Sequence, residues 1–273
     1  MAVPDGGEQW TSCTAVPFSP RSACWPRHRS RSRPALAPRR RPTASCRTST
    51  STRKLAAVEH VDWTRRYRRH AAAHGGTAAY PDTTILALHG GGIEPGTSEL
   101  AVAIAGYRPS DDTPLSGPLY DHWFFEGLRP PGGSNAELHV TSTHCDDPVA
   151  RSLAGGARRT VSLHGCTAGQ AGQPAGTAAV LVGGLDLDLK AKLRHRFGLA
   201  GITHVDASTV DGLAGTDPDN IANRTCTGTG TQLELTTELR DRMFTENTGA
   251  RRKHTTTALF DAFVTAARLA LTD

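Results

Sequence analysis

Three polar motifs join residue types that do chemistry to settings that could aim them. They are His89-Gly90-Gly91-Gly92-Ile93-Glu94, Ser162-Leu163-His164-Gly165 and Gln232-Leu233-Glu234-Leu235. Each ends or lies in an apolar run that reads as a strand, and open α/β sheets bind ligands where loops leave the carboxyl ends of strands. A catalytic zinc takes three protein ligands from histidine and carboxylate and keeps a fourth position for water. His89 and Glu94 in one glycine-rich loop, with His164 at another strand end, make a His₂Glu set. The glycines have a physical job, because a backbone without Cβ atoms folds tightly enough to aim both ligands at one point. Glu234 reads as an alternating outward residue of its strand, which places a carboxylate on the face opposite Leu233 and Leu235.

Other readings of these residue types stand beside that one. A triple glycine after a strand suits a phosphate loop, but no Gly-Lys-Ser/Thr follows and no third glycine falls at dinucleotide spacing. His144, in His144-Cys145-Asp146-Asp147, also follows an expected strand and rivals His164 as a ligand. His139 sits inside a strand pattern as a core or edge residue, and His60, His70, His74 and His122 read as solvated. Cys145, Cys166 and Cys226 lie close to the motifs, yet no Cys-x-x-Cys pair supports a structural zinc. An odd three fits reduced thiols, or one disulfide and a free thiol.

The elements that must hold these motifs alternate. Thr83 to Leu88 reads as a buried strand, Ser98 to Gly106 as a helix, and Ala136 to Thr143 as a second strand. Pro148 to Leu153 makes a short helix closed by Gly155-Gly156; Thr160–Leu163 and Ala178 to Val182 are strands, and Leu187 to Phe197 is a helix. Thr231 to Leu235 is a further strand, Glu238 to Phe244 a helix, and Thr256 to Leu271 a closing helix. Residues 55–74 suggest a short, loosely amphipathic helix. Strands alternating with helices predict one α/β domain over residues 81–273, around a central mixed, largely parallel sheet flanked by helices, with 55–80 as a connecting segment.

Charge separates this domain from what precedes it. Residues 1–54 hold ten arginines and Lys54 against Asp5 and Glu8, so 11 − 2 = +9; the whole chain carries +5, which leaves −4 for the rest. The tail, rich in Arg, Pro, Ser and Thr, lacks the apolar surface to offset its ordering entropy and reads as disordered. A polyanion-binding arm, a targeting peptide and translated upstream sequence all suit it. The acidic remainder has no aromatic-basic interleaving, which argues against a nucleic-acid-associated protein except through the tail. No apolar run reaches about 18 residues, the length of a membrane span, and no compact apolar leader is readable, so the expectation is a cytoplasmic protein.

The motifs together resemble the poly-γ-glutamate hydrolases, phage-type enzymes related in fold to the zinc carboxypeptidases and aspartoacylases. The shared stretches run from Leu88-His89-Gly90-Gly91-Gly92-Ile93-Glu94-Pro95-Gly96-Thr97-Ser98-Glu99 through Phe125-Glu126-Gly127-Leu128 and Leu138-His139-Val140-Thr141-Ser142-Thr143-His144. Val161 to Cys166, Val182 to Asp186, Gly215 to Ile221, Asn223-Arg224 and Gln232 to Leu235 continue the series, over about residues 80–245. The resemblance implies zinc ligands at His89, Glu94 and His164, and a proton-shuttling carboxylate at Glu234. It implies hydrolysis of γ-glutamyl amide bonds in poly-γ-glutamate or a similar anionic polymer, whose free carboxylates need a clamp. Arg224 suits that clamp, or else anchors its own loop; Asn220 and Asn223 orient it or form Asx turns. A carboxypeptidase or deacylase acting on a small N-acyl amino acid or peptide is the alternative. Two stretches depart from the family pattern, Tyr107 to His122 and Gln170 to Thr177, and both are expected at the site entrance.

Overall fold

The computed structural model describes residues 57–70, 82–129 and 134–273, all within one compact unit, Cys46–Asp273. The tail read over residues 1–54 lies outside the described residues. Seven strands form one sheet: β1 (Trp63–Arg68), β2 (Thr83–Gly91), β3 (Asp121–Gly127), β4 (Arg159–Cys166), β5 (Val180–Gly184), β6 (His204–Asp206) and β7 (Thr231–Thr236), in the spatial order β1-β3-β2-β4-β7-β5-β6. The central strands β3, β2, β4 and β7 run parallel, while β1 lies antiparallel to β3 and β5 antiparallel to β7. This is the mixed, largely parallel sheet expected of the sequence.

Alternation along the strands separates two cores. Ile85, Ala87, Phe124, Val161, Leu163, Leu233 and Leu235 face α1 (Thr97–Ile104), α3 (Leu187–Leu199) and α5 (Ala258–Thr272). Leu86, Leu88, Trp123 and Phe125 turn the other way, onto α2 (Pro148–Gly156) and Leu138. Helix α1 is buried nearly all round, as its apolar run Leu100–Ile104 requires. Asp147 starts α2 by accepting hydrogen bonds from the Val149 and Ala150 amides, with Pro148 in the first turn, where its missing N–H costs nothing. The short α4 (Thr237–Arg242) follows β7 directly.

Three expectations need correction. Residues 63–68, inside the stretch read as helix and connector, form an edge strand, with Trp63 stacked on Phe125 at 4.8 Å. A strand lies over Asp121–Gly127, where none was expected. The second expected strand, Ala136 to Thr143, is instead two 3₁₀ turns, Asn135–Leu138 and Ser142–His144, joined by extended residues. Its alternation of apolar and polar residues mimics a strand, but only Leu138 and Val140 are buried, and no neighbouring strand pairs with it among the described residues.

Candidate active site

The first ligand loop is built by a bulge and a tight turn. The pairing of β2 with β3 shifts register between Ala87 and Gly90, inserting one extra residue beside His89. A bulge re-aims a side chain; without it, His89 would alternate onto the face of Ala87, away from His164. The Glu94 amide then donates to the His89 carbonyl at 2.8 Å, which closes the loop on itself. Gly91 makes that turn with φ +64°, and a Cβ there would meet the Gly127 carbonyl oxygen at 2.4 Å. Glycine is therefore required.

The four polar side chains converge on one face of the sheet. His164 on β4 pairs in register with Glu234 on β7, so both project to the same side. His164 Nδ1 lies 3.1 Å from His89 Nδ1, and His89 Nδ1 lies 3.1 Å from Glu94 Oε1. The other atom of each ligand is held from behind. His89 Nε2 is 2.8 Å from the Val140 carbonyl, His164 Nε2 is 2.8 Å from Ser162 Oγ, and the Gly165 amide donates to Glu94 Oε2 at 2.7 Å. Such outer partners fix tautomer and orientation in metal sites.

His139, read in the sequence as a core or edge residue, joins this cluster. Its Nε2 stands 3.4 Å from Glu94 Oε1, and ligand atoms of His89, Glu94 and His139 all lie within 4.8 Å of one another. Two ligands about 2.1 Å from a tetrahedral zinc stand about 3.4 Å apart, so the donor spacing and the nitrogen–oxygen chemistry both fit that metal. His144 is exposed at the end of its 3₁₀ turn and does not line the cleft. His70 and His122 are not solvated either: His70 contacts Asp121 and the Tyr107 hydroxyl, and His122 is buried.

Burial and charge set the protonation pattern. Burial, reinforced by His89, holds His164 down to about 3, so it presents a neutral imidazole. Burial also opposes charge on His89, but the Glu94 carboxylate and the Val140 carbonyl outweigh it and the net shift is upward. Glu94 moves the other way, because His89, His139 and His164 outweigh the cost of its burial. Glu234, 5% exposed, is raised well above the ordinary carboxylate range by burial and by the charge of Glu94.

A relay of amides holds Glu234. Asn220 Nδ2 donates to Gln232 Oε1 at 2.7 Å, and Gln232 Nε2 donates to Glu234 Oε1 at 2.8 Å. Arg240, buried behind Gly165, donates to the carbonyls of Pro95 and Leu235 and so ties the turn after Glu94 to the strand of Glu234. Sequence reasoning missed Arg240, since one arginine in a short helix carries no spacing signal. Cys166, two residues beyond His164, is a free buried thiol that burial and Glu234 push up to about 12, so it offers no thiolate. Cys145 is also buried, and Cys226 is a free, exposed thiol.

The cluster opens into a cleft of about 790 Å³. Its far wall is the loop Ser208–Asp217, with Thr141, Ser142, Thr143 and Gln170 at other edges. No lysine or arginine lines it among the described residues. Arg224 lies outside the wall, its guanidinium bound to the Asp219 side chain at 2.8 Å and the Asp219 carbonyl at 3.1 Å. Asn223 braces the same region by donating to the Gly215 and Asp217 carbonyls. Of the two stretches expected at the entrance, Gln170 reaches the cleft and nothing from 107–122 does.

Comparison with known proteins gives the chain its family. The family model described as poly-gamma-glutamate hydrolase matches residues 53–266. The SPbeta prophage-derived UPF0714 protein YoqZ of Bacillus subtilis (strain 168) is 39% identical over 180 residues, 66% of this chain and 58% of that protein. The chain thus spans a little over half the length of the curated relatives it matches first. Among solved structures, a bacteriophage poly-gamma-glutamate hydrolase superposes with a TM-score of 0.64 at 28% identity, covering 80% of this chain and 91% of that one. A zinc-free form of YndL superposes with a TM-score of 0.64 at 29% identity, covering 78% and 90%.

Proposed function

Because the chain belongs to the poly-gamma-glutamate hydrolase family, we propose that it is a zinc-dependent amidohydrolase that cleaves γ-glutamyl amide bonds, with poly-γ-glutamate as substrate. One observation carries this reading: His89, Glu94 and His164 converge beside Glu234 at the floor of a single cleft. His89, Glu94 and His164 would hold the zinc. When bound, zinc supplies Lewis acidity, polarising an amide carbonyl and acidifying water to a pKa of about 7.

The chain's own residues do the rest. Glu234 takes the proton of the attacking water on the carboxylate oxygen that Gln232 leaves free, then delivers it to the departing amine. Burial and the charge of Glu94 raise its pKa well above the ordinary carboxylate range, the direction that favours the second task. Gln232 and Asn220 keep its orientation through the cycle. Burial of Glu234 and His164 excludes bulk water from the proton path.

One feature favours a second reading. An anionic polymer needs cationic contacts, and the described cleft wall offers none, while Arg224 is bound to Asp219 instead of facing the cleft. A smaller γ-linked or N-acyl amino acid, carrying one carboxylate, suits the hydroxyl-rich wall of Thr141, Ser142, Thr143, Ser208 and Thr209. The test is metal analysis of the purified protein, followed by incubation with γ-linked polyglutamate, α-linked polyglutamate and short N-acyl amino acids. Zinc at about one per chain with cleavage of the γ-linked polymer alone is the expected outcome. Turnover confined to the short substrates would replace the polymer reading with the deacylase one.

A further inference from the structure

His89, Glu94 and His139 bring one ligand atom each within 4.8 Å of one another, and His164 Nδ1 stands 3.1 Å from His89 Nδ1. A fourth protein donor thus adjoins a cluster of three, where a catalytic metal uses three and keeps one position for exchange. His89, Glu94 and His164 each have a second atom pinned by the protein, through Val140, Gly165 and Ser162 respectively. His139 differs in every respect. Its side chain is 47% exposed against 3% for His89, and it follows a 3₁₀ turn in extended backbone instead of ending a strand. Among the described residues, the one polar partner of its ring nitrogens is Glu94 itself. It stacks on His89 with ring centroids 3.7 Å apart and lines the cleft by which substrate arrives.

We infer that His139 is an exchangeable fourth protein ligand, occupying in the resting enzyme the metal position that water or the substrate carbonyl takes during turnover. The inference rests on reading the site as a metal centre. A ligand without an outer hydrogen-bond partner is not locked in its ligating orientation, so it is the member of the four that yields. Its neighbour Val140 keeps hold of His89 while the ring moves, because that contact uses the backbone carbonyl.

The test uses the full chain loaded with zinc, then with cobalt, whose visible bands report the number and type of ligands. His139→Ala should raise the zinc dissociation constant at least roughly tenfold, the scale at which even outer partners of a metal act. Its cobalt bands should shift as a nitrogen gives way to water. Azide, which in the wild type must displace the ring, should bind cobalt His139→Ala more tightly than cobalt wild type. His139→Asn, which keeps a polar group at the site, controls for a change in folding and should behave as His139→Ala does. Unchanged zinc affinity and unchanged cobalt bands in both variants, with zinc firmly bound in the wild type, would overturn the inference alone. A wild-type chain that takes up no zinc would bring down the metal-centre reading and this inference with it.

Discussion

At the scale of single residues, Glu234 separates chemistry from scaffolding. Glu234→Gln keeps the shape of the side chain and leaves His89, Glu94 and His164 untouched, but it removes the carboxylate proposed to move the proton. General acid–base catalysis contributes about 10²–10⁴-fold, so hydrolysis should fall by that order while zinc content and melting temperature stay near wild type. Near-normal turnover of zinc-loaded Glu234→Gln would remove Glu234 from the mechanism. The ligands predict a different signature: His89→Ala, Glu94→Ala and His164→Ala should each lose zinc, whereas His144→Ala should keep it, as metal analysis of the four proteins will show. Zinc kept by His164→Ala and lost by His144→Ala would exchange their roles. That His89, Glu94, His164 and Glu234 lie together was legible because polar residues at strand ends come with glycines and with leucines of opposite parity. His139 was not, because Leu138-His139-Val140-Thr141 alternates like a strand and nothing in the tract signals that its partner strand is missing. Arg224 was readable as an arginine near the site but not as one bound to Asp219, since a guanidinium's direction depends on the loop that carries it.

Among the elements, β3 carries a feature that responds to pH. His122 is buried there against Phe124, with ring centroids 4.7 Å apart, and burial together with Arg66, Arg68 and His70 holds it down to about 3. A histidine kept neutral below its unfolded value contributes stability that is complete above about 6.5 and lost as pH falls toward about 3. His122→Phe keeps a ring on Phe124 and cannot be charged. Melting temperatures from pH 7 to pH 4 should therefore fall less steeply in the variant than in the wild type; parallel curves would show that His122 takes no part. The helices were legible from their periodicity and caps, as in Asp147-Pro148 before α2 and Asp186 before α3. The strands β1, β3 and β6 were not. Trp63 to Arg68 mixes four polar residues with two aromatics, and its strand character comes from pairing with Asp121–Gly127, a partner about 60 residues away that local pattern cannot supply.

For the molecule as a whole, the place where the folded unit begins can be tested by length. The family match starts at residue 53, and β1 depends on what immediately precedes it: Trp63 Nε1 donates to the Ala57 carbonyl, and Arg65 pairs with Glu59 and with the buried Asp147. A chain of residues 53–273 should melt like the full-length protein and retain its hydrolysis. A chain starting at residue 82 loses Trp63, whose burial contributes about 2–3 kcal/mol, leaves Asp147 without its guanidinium and bares the edge of β3. It should melt many degrees lower or fail to fold. Calorimetry of the three lengths decides the matter, and a stable 82–273 protein would show that the outer strand is dispensable. The charge division pointed toward this boundary, while the strand inside the supposed connector shows that the sheet extends upstream of residue 81.

The far wall of the cleft is one uninterrupted stretch, Ser208–Asp217, whereas His89, His164 and Glu234 stand on β2, β4 and β7 and Glu94 in the turn after β2. Substrate preference should therefore be separable from bond cleavage: exchanging these ten residues should retune the first and leave the side chains of the site in place. Two residues of the loop are exempt, Gly212 with φ +75° and, more tightly, Gly215. Gly215 has φ +64° and lies so close to Gln232 that a Cβ would come within 2.9 Å of it, next to the relay that steadies Glu234. Loops grafted from relatives should move substrate preference while the protein stays zinc-loaded, provided the graft returns a glycine to that point; without it, the graft should also slow every substrate alike.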